Sequence, residues 1–388
     1  MDFALTPEQE ALKERAHIEA LRWRGQHTTW DSVDESPYEE IIESLRDAGL
    51  LGLTMPVEYG GKGGTALDYV LVVEELFHTG QSWILGEGPF CSTGPGPSMI
   101  LLADESTRTK FLPRIVSGEV GCAIALTEPD HGSDLTHLDT EAVEERDSYV
   151  LNGRKRFITG SPQNELYAVF ARFEGVPGAR GVGCVIVEKG TAGFSLAKGA
   201  EFLGARGLPH GELELVDCRV PKENLVRGAG SFAELMSAFN MERLHNSIYS
   251  LAFAELAYDE AVKYCGERKA FGREIIEFQS TYHSLVDMKM MIEAQRLLTY
   301  QAAATATDGR FPRPFESSLS KLFGAEMAPQ VTMKAILLHG GDGTTKDFLI
   351  ERVHRDAVTA MVAGGSPPVL RNAIASQLFP EFRFAQTR

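Results

Sequence analysis

The sequence predicts an α+β fold of three consecutive domains: helical over 1–119, antiparallel β over 120–228 and helical again over 229–388. Three observations carry this. Helix-start signals and helical spacing fill the first third, short apolar runs separated by turn residues begin near Gly121, and alanine-rich helical periodicity returns from Ser231.

The elements follow in order. Thr6-Pro7-Glu8-Gln9 supplies an N-cap, a proline for the first turn and a glutamine able to close a capping box. Ser36-Pro37-Tyr38-Glu39 repeats the arrangement, with Gly49 as a stop. Thr65 to Asp68 opens a third helix, followed by Val70, Leu71 and Glu74 at helical spacing. The Gly/Pro-rich stretch from Gly86 to Pro97 reads as an ordered loop, after which helical pattern resumes over Ser106 to Val116. The runs YVLNGRKRFIT, LYAVFARF, VGCVIV and ELELVDCRV then read as short strands, with Asn152-Gly153 as a hairpin turn. Residues 231–272 read as one long helix, and further helices are expected over 277–307, 313–338 and 347–361.

Composition narrows the function. With 38 basic and 54 acidic residues the net charge is -16, which opposes general binding to nucleic acid or to anionic membranes. Cys91, Cys122, Cys184, Cys218 and Cys265 are far apart and odd in number, so neither a disulfide framework nor a structural zinc site is expected. The N-terminal residues lack a basic start followed by an apolar run, and no apolar stretch approaches the ~18 residues of a bilayer span, so a cytoplasmic protein is expected.

Individual motifs are weak. Gly228-Ala229-Gly230-Ser231-Phe232-Ala233 fits a dinucleotide-binding glycine pattern but lacks the strand and parallel βαβ unit that pattern needs, so it reads as a loop entering a helix. There is no nucleophile elbow, P-loop or H-E-x-x-H, and the histidines show no metal-ligand spacing. Leu235, Phe239, Glu242, Asn246, Tyr249 and Phe253 share one helix face, where Glu242 and Asn246 interrupt an apolar row. A desolvated Glu242 would serve as a general base. The alternative is a partly buried carboxylate paired with Arg243 or a lysine. Gly340-Gly341-Asp342-Gly343 and Arg268-Lys269-Ala270-Phe271-Gly272 combine helix stops with groups able to meet a phosphate.

Taken in order, the segments resemble the acyl-CoA dehydrogenase family over nearly the whole chain. LTEPDHGSD (Leu126 to Asp134) is similar to the family's flavin-contacting loop, and NGRKRFITG (Asn152 to Gly160) to its N-G-x-K-x-[WF]-I-T segment. RGLPHGELELVDCRVP, ERKAFG with Phe278-Gln279, HGGDG and VAGGS complete the order. The resemblance implies a helical N-terminal domain, a middle antiparallel β domain and a C-terminal four-helix bundle, with FAD between the last two and a second subunit of a homotetramer partly covering it. It implies α,β-desaturation of an acyl-CoA, reoxidation by an electron-transfer flavoprotein, and no metal. Leu126, Thr127, Ser133, Phe157, Ile158 and Thr159 should meet the flavin. Arg268, Phe271, Phe278, Gln279, Gly340 and Gly341 should meet FAD across the subunit boundary, and Gly365 and Ser366 its pyrophosphate. Ser133, Asn240 and Arg243 should handle substrate.

Many members carry the base as a Glu in a late Y-E-G-T-S segment. The matching stretch here is Ala363-Gly364-Gly365-Ser366, which places Gly364 at that glutamate. Isovaleryl- and long-chain-type members, and a crotonobetainyl-CoA reductase, instead place a Glu before an Arg on the first bundle helix, as in Met241-Glu242-Arg243-Leu244. Glu242 is therefore the expected base. Asp130-His131 in the flavin loop, Asn240 in place of Asp and Leu337 in place of Gln depart from the pattern. The Gly86–Pro97 stretch sits where the family lines its acyl pocket, which points to a bulky, cyclic or branched acyl group. The resemblance leaves open a flavin oxidase or monooxygenase, a non-catalytic partner subunit, a carrier-protein thioester, and the reductive direction.

Overall fold

The computed structural model describes residues 4–307 and 311–382; the ends of the expected first and last domains, 1–3 and 383–388, fall outside it, as do 308–310. Eight helices come first: α1 (Pro7–Trp23), α2 (His27–Val33), α3 (Tyr38–Asp47), α4 (Ala66–Gly80), α5 (Trp83–Glu87), α6 (Phe90–Thr93), α7 (Pro95–Ile100) and α8 (Glu105–Val116). Thr6 and Gln9 form the expected capping box on α1, and Thr65 and Asp68 form another on α4. Ser36 does not cap α3. Its hydroxyl donates to the Gly207 carbonyl at 2.7 Å, so tertiary contact claims the side chain that the local pattern assigns to the helix.

The expected loop from Gly86 to Pro97 is instead almost wholly helical, in three short turns whose described side chains are buried. Helices this short are marginal alone, and burial against neighbours is what stabilises them. Gly96 allows that packing: a Cβ there would lie 2.2 Å from the Cys122 carbonyl oxygen.

The sheet strands are β1 (Cys122–Ala125), β2 (Glu141–Glu144), β3 (Ser148–Thr159), β4 (Leu166–Phe173), β5 (Val182–Glu188), β6 (Phe194–Lys198), β7 (His210–Pro221) and β8 (Leu225–Arg227). They form one sheet in the order β6-β7-β3-β2-β4-β5-β8, with β1 beside β4. Most pairs are antiparallel as expected, but β1 and β2 run parallel to β4, so the sheet is mixed. The expected hairpin at Asn152-Gly153 is absent, because both residues lie inside β3 at a bulge against β7. Gly153 is there for close approach: a Cβ would fall 2.4 Å from Thr140 Oγ1. Leu166, Ala168 and Phe170 of β4 pack with α7 and α8, while Tyr167, Val169 and Ala171 pack with β3 and β7. Burial on both faces explains why LYAVFARF shows no polar alternation.

The expected long helix is two: α9 (Phe232–Ala238) and α10 (Asn240–Glu267), broken at Phe239. A two-residue ribbon, β9 (Lys269–Ala270) and β10 (Arg273–Glu274), then turns through Phe271-Gly272. The bundle is completed by α11 (Gln279–Ala304), α12 (Pro314–His339), α13 (Ile350–Ala360) and α14 (Pro367–Leu378), the last not foreseen from the sequence. One core joins α1, α3, α4 and α5 to α10 through α13. No helix among the described residues is long and apolar enough to cross a membrane.

Candidate active site

The break at Phe239 puts Glu242 in the first turn of α10. Leu235, Phe239, Asn246, Tyr249 and Phe253 are buried, and Glu242 stays partly accessible among them. Its Oε1 accepts from Asn246 Nδ2 at 2.9 Å, and Asn246 Oδ1 accepts from the Tyr249 hydroxyl. Surrounding protein pushes the carboxyl above its usual range, partly offset by the Asn246 hydrogen bond and the nearby His245 and Lys321. Among the described residues no ion pair engages Glu242. Arg243 turns away, donating to Asn240 Oδ1 at 2.8 Å with its guanidinium 5.8 Å from the Phe239 ring. The paired reading of Glu242 therefore fails. Asn240 Nδ2 and Arg243 Nε are buried without a hydrogen-bond partner among the described residues.

The late segment reaches the same place. A Cβ on Gly364 would lie 2.8 Å from Asn246 Nδ2, and its φ of +63° favours glycine. Counting back from Ser366 through Gly365 and Gly364 puts the family's late glutamate at Ala363, which corrects the placement at Gly364. Gly364 is the crowded residue after it, and neither position carries a carboxylate. Lys321, fully buried on α12, ties this segment down by donating to the carbonyls of Met361 and Gly365 at 2.8 Å each. Burial pulls its ammonium down to about 7 against the pull of Glu242. Sequence reasoning missed Lys321; its only signal was a lysine within a helix of small and apolar residues.

The expected flavin-loop residues gather at the end of β1 and along β3. Leu126 and Ile158 are buried, Thr127 accepts from the Arg156 amide at 2.8 Å, and Ser133 and Phe157 are exposed. Phe157 has φ +62°, with the Arg156 guanidinium 4.6 Å from its ring. Thr159 ends β3. The loop is anchored by a pair that the sequence did not reveal. Lys155 Nζ lies 2.7 Å from Glu128 Oε1 and 3.1 Å from the Leu126 carbonyl, and Glu128 also accepts from the amides of Asp139 and Thr140. Burial alone would raise the Glu128 carboxyl, but Lys155 and these amides overcome it and hold it below its usual range. Glu128, His131 and Asp139 bring possible ligand atoms together, but the carboxylate of Glu128 is already committed to Lys155.

The third group is remote. Arg268, Leu337, Gly340 and Gly341 line a cavity of about 350 Å³ at the far end of α10. Phe271 is 97% exposed on the ribbon turn, Phe278 lies under the Arg273 guanidinium, and Gln279 is exposed at the start of α11. Arg268 has no ion-pair partner among the described residues, and Gly340 and Gly341 have open space where side chains would be. Gly365 has φ +113°, and the hydroxyl of Ser366 makes no cap bond to α14. An unpaired guanidinium, exposed aromatic rings and open glycines fit a dinucleotide with a pyrophosphate. The 28 residues of α10 span about 42 Å, so Arg268 and Glu242 of one chain sit at opposite ends of that helix.

The family models described as the N-terminal, middle and C-terminal domains of acyl-CoA dehydrogenase match residues 6–119, 123–218 and 231–379. A short-chain-specific acyl-CoA dehydrogenase of Clostridium acetobutylicum is 34% identical, over 98% of this chain and 100% of the relative. A subunit of the caffeyl-CoA reductase-Etf complex of Acetobacterium woodii is 33% identical, over 90% of this chain and 92% of its own. The solved butyryl-CoA dehydrogenase of Megasphaera elsdenii superposes with a TM-score of 0.92 at 31% identity, covering 98% of this chain and 100% of that one. The match spans all three domains, and the chain belongs to the acyl-CoA dehydrogenase family, FAD-dependent oxidoreductases acting on CH–CH bonds of acyl-CoA thioesters.

Proposed function

We propose that this chain desaturates an acyl-CoA between its α and β carbons, with Glu242 as the base. The observation that carries the reading is a raised, partly accessible carboxylate held by Asn246, with no ion pair among the described residues. Glu242 takes the α-proton, and the β-hydrogen leaves as hydride. FAD, when bound, supplies the acceptor for that hydride. Ser133, Asn240 and Arg243 hold the substrate, the last two toward its pantetheine end, and Leu126, Thr127, Ser133, Phe157, Ile158 and Thr159 form the flavin's protein wall. Arg268, Phe271, Phe278, Gln279, Gly340 and Gly341 serve the FAD of a second copy, with Gly365 and Ser366 toward the pyrophosphate.

A homotetramer is supported by exposed apolar side chains on α11 and α12, among them Val286, Met290, Leu297 and Leu337. An electron-transferring flavoprotein as acceptor is supported by the relative from an Etf complex. Five buried free cysteines suit a reducing, cytoplasmic setting.

Anaerobic mixing of the flavin-loaded enzyme with a panel of saturated acyl-CoAs tests the reading, and bleaching of the flavin band is expected. Bleaching by none of them, with reduced enzyme reoxidised by enoyl-CoA, would reverse the direction. Rapid reoxidation by dioxygen would favour an oxidase.

The pH profile gives a second check. Only ionised Glu242 can accept the proton, so kcat/KM should rise with pH through a value above the ordinary carboxylate range. An acid limb at or below pH 4 would count against Glu242.

A further inference from the structure

Lys321 is fully buried on α12, and the groups that accept its hydrogen bonds are neutral: the carbonyls of Met361 and Gly365, at 2.8 Å each. Two neutral acceptors do not call for a full charge. An ammonium taken out of water without a carboxylate in contact is costly, and an apolar side chain would fill the same space without that cost. The cation is accounted for by a charge close by. Glu242 is the carboxylate it feels, with the Arg243 guanidinium opposing.

The backbone that Lys321 holds leads to the same carboxylate. Gly364 precedes Gly365, and a Cβ on Gly364 would lie 2.8 Å from Asn246 Nδ2, so this segment is in close contact with Asn246. Asn246 Nδ2 in turn donates to Glu242 Oε1 at 2.9 Å. Gly324, one turn after Lys321, lets α12 approach α10 at the same level. A Cβ there would lie 2.9 Å from Ser250 Cβ, and the Ser250 hydroxyl donates to the Asn246 carbonyl at 2.9 Å. We propose that Lys321 is a positioning residue for the base: it clamps the 361–365 segment against Asn246 and supplies the positive charge that the Glu242 carboxylate faces. The inference rests on the dehydrogenation proposed above. Lys321 itself takes no part in the transfer of hydrogen.

The pH dependence of kcat/KM in flavin-loaded variants tests this. Arg243, His245 and Tyr249 face Glu242 from its own helix, Glu87 from α5, Tyr69 from α4 and Lys321 from α12, while 361–366 carries no titratable side chain. Of these groups only Lys321 changes between the variants. Its ammonium is charged below about pH 7. Lys321→Met removes that charge, so ionised Glu242 loses a stabilising neighbour. The acid limb, measured with an acyl-CoA that bleaches the wild-type flavin, should move upward by about half a pH unit. Lys321→Arg keeps the charge and should leave the limb in place even where the plateau falls. A role confined to holding the segment would lower the plateau of Lys321→Met with its limb unmoved. That result overturns the inference, as does an equal displacement of the limb in Lys321→Arg, and both leave the dehydrogenase reading intact. If Lys321→Met does not fold, Lys321→Gln, also neutral, decides by the same limb. If no acyl-CoA bleaches the wild-type flavin, the dehydrogenase reading falls and takes the inference with it.

Discussion

Replacing Glu242 with glutamine is expected to abolish nearly all flavin bleaching by acyl-CoA while leaving the fold and the bound flavin in place. The amide keeps the size of the side chain and still accepts from Asn246 Nδ2, which donates at 2.9 Å in the native site. What it loses is the ability to take a proton. A positioned general base contributes about 10²–10⁴ in rate, or roughly 3–5 kcal/mol of barrier. No other described carboxylate is placed to substitute, since the late segment offers only Ala363 and Gly364, and Glu87 is tied to Trp83. Stopped-flow reduction at several pH values checks the claim. Wild-type rates in the variant would end the assignment of Glu242, whatever the fate of the family reading.

The second large effect concerns stability. Asp356 on α13 should be among the most damaging positions to truncate, because it closes a charged knot between all three domains. It is fully buried, accepts from the Ala205 amide at 2.8 Å and lies 3.4 Å from Arg352. Arg352 in turn reaches His27 Nδ1 and the Gln81 carbonyl, and Arg355 grips Asp31 through two hydrogen bonds. Asp356→Ala strands a buried guanidinium, which costs about 3–5 kcal/mol. For a chain of this size that is a fall in Tm of about 4–6 °C, read by circular dichroism. Arg352→Met combined with Asp356→Leu should recover part of the loss, since removing both charges is milder than orphaning one. A Tm for Asp356→Ala within a degree of wild type would show that the knot contributes little.

The features legible in the sequence were those encoded locally. Capping boxes at Thr6 and Thr65 are complete within four residues, and both form. The change of texture at Gly121 marks the sheet because period-two and apolar runs report burial directly. Local signals misled where a distant contact had the stronger claim. Asn152-Gly153 looks like a turn, yet Gly153 exists to admit Thr140. Ser36 looks like a cap, yet it bonds Gly207.

The active site was legible only in part for the same reason. Glu242 stood out as a polar residue on an apolar face, but its meaning came from family resemblance. The partners that shape it come from other elements and left no local trace: Lys321 from α12, Gly364 from the segment before α14, and Glu87 from α5. The break at Phe239 was invisible too, because Ser231 to Glu267 is helix-forming throughout, and only packing of Leu235 and Phe239 against the sheet turns α9 aside.

That break has a bearing on how the chain tolerates change in length. Glu242 is counted from the start of α10, three residues after Phe239, and not from its end. Each residue added to a helix rotates everything beyond it by about 100°. An insertion in the last turns of α10 would leave the carboxylate where it is and swing only the Arg268 end. One between Phe239 and Glu242 would turn the carboxylate out of its chamber. The register of the chemistry is thus fixed within a single turn, while the far end of the same helix, with Ala257, Ala261 and Cys265 buried, sets a separate register for Arg268.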